Sequence, residues 1–241
     1  MTARRESPTV ELGAACRAVG LDVVCPFQVE WYNRRAAAAD WLPNFGRTST
    51  LGLLIGNTRE LWGHFRAALE REPELRADPH PLDAYVVDRL TTAVQQIAAP
   101  ATIVWAHQIE PRAWPVQRVA EAAALATISP SHLSIHPTHG PWFALRAVVV
   151  VDADGPAGEA PPLQSPCASC HQPCVPALDE ALRASEREGV PLSRAVQTDW
   201  RRWARVREVC PVGRLSRYSD EQIEYHYTKD RERMLATRPV R

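Results

Sequence analysis

From Pro141 to Asp152 the chain reads PWFALRAVVVVD, and its second half runs through four consecutive valines. A β-branched run this apolar predicts a strand at a central position of a sheet, buried on both faces. The rest of the chain must then supply the layers that cover it. TSTLGLLIG (48–56) is a short apolar run bounded by glycine, and ATIVWAHQIE (101–110) reads as a further strand. Helical spacing appears between them. Residues 8–20 are amphipathic and lead into LDVVCPFQVEWYN, and Pro43 and Asn44 mark a loop. Asn57 with Glu60 resembles a capping pair ahead of Leu61, Phe65, Ala68 and Leu69. A second helix starts near Asp83 with Val86, Leu90, Val94 and Ile97 on one face, and VQRVAEAAALATI (116–128) is alanine-rich and helical.

After residue 152 the character changes. DADGPAGEAPPLQSP (152–166) is a proline- and glycine-rich loop. It is followed by helical stretches at 177–189, 192–209 and from Ser219 to about Leu235, the last opened by a Ser219–Gln222 capping box. Strands alternating with helices, then helices alone, predict an α+β sandwich with a helical C-terminal cap. Residues 1–152 would form the core, and 153–241 a cysteine-bearing loop and cap completing the same domain.

A chain of 241 residues can bury a full core without crosslinks. Its 28 basic residues balance 28 acidic ones, so no overall field attracts nucleic acid or an anionic membrane. No run of about eighteen apolar residues predicts a membrane span, and Glu6 and Glu11 interrupt the N-terminal stretch where a secretory signal would need apolar sequence. The expected setting is cytoplasmic, where clustered thiols bind metal or do redox chemistry more often than they pair.

Four of the six cysteines are gathered: CASCHQPC places Cys167, Cys170 and Cys174 together, and Cys210-Pro211 follows at a distance. Four thiolates suit Zn²⁺ or an iron–sulfur cluster rather than a hard cation. The Cys-Pro element resembles a ferredoxin ligand, although three residues, not two, separate Cys170 from Cys174. The residues alone leave zinc and a cluster both open. His132, His136 and His139 read as polar structural residues or substrate contacts. Trp31, Trp142, Trp200 and Trp203 are core plates by default and would also wall a broad pocket. Most of the arginines from Arg201 to Arg233 read as a solvated helix face.

PFQVEWYN (26–33), IHPTHGPWFALRAVVV (135–150) and RYSDEQIEYHY (217–227) closely resemble the cobalamin-processing CblC family. Weaker likeness runs through DPHPLDAYVV, PVQRVAEAAALA and WRRWARVRE, so that residues 13 to 237 are covered in the same order. The resemblance implies a flavin-nitroreductase-like fold that holds cobalamin with its lower base detached. It implies reductive removal of the upper axial ligand, chiefly decyanation, with a flavin or a ferredoxin-type reductase supplying electrons. By position it assigns Phe27, Gln28, Trp31, Gln117, Ile135, His136, Pro137, Trp142, Phe143 and Trp203 to cobalamin, and Arg146 and Arg233 to the catalytic pocket. The two arginines are expected to share a carboxylate-bearing ligand. The family's third arginine falls at Val206, between Arg205 and Arg207, which counts against dealkylation onto glutathione. Glu121 stands where the family has a histidine near cobalamin, and His132 replaces a glycine. Of the cysteines only Cys174 is matched. The set of four is closer to the cobalamin-dependent iron–sulfur reductases that resemble epoxyqueuosine reductase, and beside a corrin a [4Fe–4S] cluster supplying electrons is then preferred over zinc in a core that needs no staple. A carrier that binds cobalamin without catalysis, its cysteines stapled by zinc, is the other class these residues allow.

Overall fold

The computed structural model describes residues 7–108 and 113–237. In chain order the elements are α1 (Pro8–Arg17), β1 (Val23–Gln28), α2 (Val29–Asn33), β2 (Thr50–Asn57), α3 (Glu60–Arg71), α4 (Pro73–Ala77), α5 (Pro81–Gln95) and β3 (Ala101–Trp105). There follow α6 (Val116–Ala122), β4 (Thr127–Ile128), β5 (Ser134–Ile135) and β6 (Ala144–Asp154). Helices α7 (Cys174–Glu188), α8 (Leu192–Thr198), α9 (Trp200–Glu208), α10 (Asp220–Thr228) and α11 (Arg231–Ala236) close the chain.

The main sheet has the order β1-β2-β6-β3, antiparallel throughout. The valine run is central: Val148 lies opposite Leu54 on one side and Val104 on the other. Because side chains alternate along a strand, the run feeds two cores at once. Val149 and Val151 pack with Leu53, Phe65 and Leu90, beneath α1, α3 and α5. Val148 and Val150 pack with Phe27, Leu54 and Val119, beneath α2 and α6. That two-faced burial explains why the strand has no polar alternation.

The C-terminal helices form the cap. Trp142, Ala204, Tyr218 and Ile223 make a cluster of their own, with Trp200 and Tyr227 against it. A smaller cluster joins Cys174 and Ala177 of α7 to Val206 of α9. The Pro/Gly-rich loop is tied to the sheet side: Gln28 donates to the Pro156 carbonyl at 2.5 Å, and the Trp31 indole N–H to the Gly158 carbonyl at 3.1 Å.

Several sequence expectations need correction. The helix over 116–128 stops at Ala122, and Ala124 takes a left-handed φ of 55° that turns the chain into β4. The stretch 192–209 is two helices broken at Asp199, and the last helix breaks at Lys229, also left-handed (φ 55°). The third strand ends at Trp105, and residues 109 and 110 of that stretch lie outside the described residues. Asn57 does not cap α3, which has no side-chain cap; it accepts a hydrogen bond from Arg146 instead. Ser219 does cap α10, accepting from the Gln222 amide at 3.2 Å. Among the described residues no helix is long and apolar enough to cross a membrane.

Candidate functional site

Where the cap meets the end of β6, a cavity of about 410 Å³ opens. That lies within the range of small-molecule sites. Its walls come from four places: Gln117 on α6, Ser134 on β5, Trp142 and Phe143 leading into β6, and Arg207 with Tyr218, His226 and Tyr227 from the cap. Gln117 is fixed by donating to the His132 carbonyl at 3.0 Å and the Ser134 hydroxyl at 3.2 Å. Trp142 is buried and meets the Tyr218 ring edge-on at 5.7 Å. These contacts make the apolar wall rigid.

The cap end of the cavity is polar and under-satisfied. Arg207 donates Nη1 to the Pro141 carbonyl at 2.6 Å, while its Nε is buried without a partner among the described residues. The Tyr218 hydroxyl and His226 Nε2 are buried and unpartnered in the same way; Arg146, with Nη2 also unmet, stands behind the lining. Burial pushes the Tyr218 hydroxyl up to about 12, even though Arg207 and Arg146 pull the other way. Burial holds His226 well below the usual histidine value, and Arg146, Lys229 and Arg207 push it further down. His226 is therefore a neutral imidazole. Burial also lowers Arg146 and Lys229, in both cases against the attraction of Asp83. Such orphaned donors cost about 1–3 kcal/mol each when nothing meets them. The arrangement is built to receive an anionic or carbonyl-rich ligand.

The residues singled out in the sequence fall into three groups. Gln117, Trp142 and Phe143 line the cavity. His136 stands just behind it, its ring edge-on to Phe143 at 5.6 Å and 4.6 Å from His139. Burial, helped by His139, lowers it to about 4, and its Nδ1 accepts from the Thr138 and His139 amides. Trp203 is one step removed, its carbonyl accepting from the Tyr227 hydroxyl at 3.3 Å. Pro137 is exposed on the turn.

The second group lies elsewhere. Phe27 is fully buried in the sheet core, in the space left by the missing side chain of Gly52. Gln28 and Trp31 hold the loop at Pro156–Gly158. None of the three is among the cavity's lining residues. The two arginines are also separated in environment. Arg146 donates Nε to Asn57 at 2.6 Å and stands 3.7 Å from Asp83. Arg233 is 60% exposed and pairs with Glu224 at 3.0 Å. Arg207, read from the sequence only as a flanking residue, takes the inward position. Tyr218 and His226 were inside a quoted segment but not singled out; the signal was an aromatic and an imidazole eight residues apart on either side of a serine cap.

The third group is the cysteines. All six thiols are unpaired. Cys167, Cys170, Cys174 and Cys210 do come together, around the walls of a second, small and almost wholly apolar cavity. Ile135 lines this one too. No three His, Cys, Asp or Glu side chains among the described residues stand in the arrangement that holds a single metal ion. The expected convergence on one ion at about 2.3 Å is therefore not met: Cys167 and Cys170 lie on an irregular turn, Cys174 opens α7 and Cys210 follows α9. Leu133 lines both cavities. The turns on either side also interlock: a Cβ on Gly140 would lie 2.1 Å from the Val212 carbonyl oxygen, and one on Gly213 would lie 2.1 Å from the His139 carbonyl.

Fold and cavity define a ligand-binding protein of mixed helices and strands, with an aromatic wall and a cationic end. No protein-family model matches the chain. It is 28% identical over 231 residues to a human cyanocobalamin reductase / alkylcobalamin dealkylase, covering 88% of this chain and 74% of that protein. The cattle protein of the same description is 26% identical, over 88% and 75%. A solved structure of a C. elegans B12-trafficking CblC protein superposes with a TM-score of 0.68 at 18% identity, covering 95% of this chain and 94% of the other. The chain is homologous to these reductase/dealkylase proteins and has the fold of the CblC structure.

Proposed function

We propose that this chain binds cobalamin as substrate and reductively removes its upper axial ligand, as the description of its human and cattle homologues indicates. One observation carries the site: Ile135–Arg146, one of the segments that resemble the CblC family, is the one whose Trp142 and Phe143 wall the cavity opposite the unpartnered cap residues. The corrin ring is wider than 410 Å³ allows in full, so the cavity takes one face and edge of it. Apolar walls from Trp142, Phe143 and Ile223 exclude water from the reduced cobalt centre. Arg207 Nε draws the negative charge that appears as cyanide departs, or meets the amide-bearing rim of the corrin. His226, neutral, donates or accepts without adding charge.

This reading takes the fold as nitroreductase-like, residues 1–152 as its core, and 153–241 as completing one cytoplasmic domain. Electrons come from a flavin or a ferredoxin-type reductase. The four cysteines enter it as a metal centre. Titrating hydroxocobalamin with the protein tests it: the visible spectrum should shift to the base-off form. Anaerobic reduction of bound cyanocobalamin should then release cyanide in proportion to protein. An unchanged spectrum at saturating protein overturns the reading, and a shift without cyanide release makes the protein a carrier.

A further inference from the structure

We propose that Cys167, Cys170, Cys174 and Cys210 ligate a [4Fe–4S] cluster that passes single electrons across the Leu133 wall to the substrate in the larger cavity. The electron route rests on the reading of that substrate as cobalamin; the cluster itself does not.

The donor set comes first. Two chain segments bring four of the six thiols to one apolar cavity, whose lining holds no carboxylate, imidazole or amine. Such a ligand set is soft throughout and selects thiophilic metal. Cys16 and Cys25, the remaining thiols, pack with the two faces of the sheet. The Gln172 amide donates to Cys170 Sγ at 3.4 Å. Cys174 is the first residue of α7, a helix of 15 residues whose N-terminal amides favour negative charge.

The four line one cavity but do not form a cage for a single ion. A four-iron cube occupies the space between its ligands and holds their sulfurs farther apart than one ion does. The cavity is narrow, and Cys167 and Cys170 lie on the irregular chain before α7, which is the side able to yield to the cube.

Placement then gives the cluster its use. The two cavities share more than Leu133. Successive residues of α9 face opposite ways, Val206 to the thiols and Arg207 to the larger cavity, and on β5 Ile135 and Ser134 divide likewise. One layer of side chains separates them, a distance electrons cross without a bonded path. The reduced cluster gives up one electron and returns to its oxidised form. Co(III) takes that electron and becomes Co(II), and the cobalt–carbon bond to cyanide breaks with its electron pair leaving on cyanide. A reduced ferredoxin-type protein or reduced flavin restores the cluster.

The test uses protein made and kept without oxygen. Iron and acid-labile sulfide should each approach four per chain, with brown absorption and a paramagnetic resonance signal after dithionite reduction. Cys170→Ser and Cys210→Ser should lose iron and signal, while Cys25→Ser retains both. Unchanged circular dichroism and an intact hydroxocobalamin shift in the serine variants would show that they fold. Reduction of bound cobalamin by a ferredoxin-type donor should be lost in those variants and kept in Cys25→Ser. Zinc in place of iron, or no metal at all, overturns the cluster. Full iron with unaltered cobalamin reduction in the serine variants overturns the relay. If the wild type holds iron yet leaves the hydroxocobalamin spectrum unchanged, the cobalamin reading fails and the cluster stands on its iron content.

Discussion

Two cavities stand back to back across Leu133, walled by the same helix α9 and the same short strand β5, yet their chemistry is opposite. The larger one ends in polar atoms that are buried and unmet among the described residues: Arg207 Nε, the Tyr218 hydroxyl and His226 Nε2. The smaller one gathers four thiols within almost wholly apolar walls. An unpaired buried donor costs free energy that a ligand can repay. Four soft donors set in apolar walls suit a thiophilic group that stays. The difference teaches that one cavity is made for something that comes and goes, the other for something resident.

The strongest way to break this comparison is to disturb the hinge both cavities share. Gly140→Ala puts a side chain within 2.1 Å of the Val212 carbonyl at a φ of 56°. It should cost about 3 kcal/mol or more in a urea melt and impair cobalamin and metal binding together. Loss of only one would show that the cavities are mechanically separate. Trp142→Ala removes a buried plate of the larger cavity alone. It should cost about 3–5 kcal/mol and weaken cobalamin binding, while iron content is preserved.

Arg207→Leu sharpens the contrast further. Taking away the cation should slow decyanation or weaken cobalamin binding by roughly ten- to a hundredfold, the worth of a hydrogen bond to a charged group, without moving the iron count. The pH response comes next. His136 and His226 are held below the ordinary histidine value, so between pH 6.5 and about 4 the unfolded chain takes up protons that folded His136 refuses. Stability is thus fully present above pH 6.5 and declines as pH falls through that window. Urea midpoints at pH 7 and pH 5 should differ, and His226→Phe should narrow the gap. The smallest effect belongs to Arg233→Ala. With Arg233 60% exposed and paired to Glu224, it should change stability by no more than about 1 kcal/mol and leave cobalamin binding intact. A large loss of decyanation there would restore Arg233 to the pocket and demote Arg207.

The central strand was legible because a run of four valines has only one environment that suits it. The gathering of three thiols was legible for a similar reason, being local in the chain. Cys210 was harder, since it returns to the others only because α7 and α9 pack side by side. The inward arginine was not legible at all. Arg205 and Arg207 look alike in an arginine-dense helix, and which one turns inward depends on the break at Asp199 that sets the helix's rotation. That break, like the one at Lys229, carries neither proline nor glycine. Phe27 and Trp31 failed as cavity residues because aromatic character says nothing about which space is free. Gly52 made room for Phe27 within the sheet, and the Gly158 carbonyl claimed the Trp31 indole.

Gly140 and Gly213 press two backbones together so tightly that neither turn can swing out while the other stays. Amide hydrogens in 136–142 and in 210–213 should therefore exchange with solvent at one common rate, through a single shared opening. A ligand seated on one side would slow exchange on the other without touching it, so occupancy of the larger cavity is registered in the chain that carries Cys210.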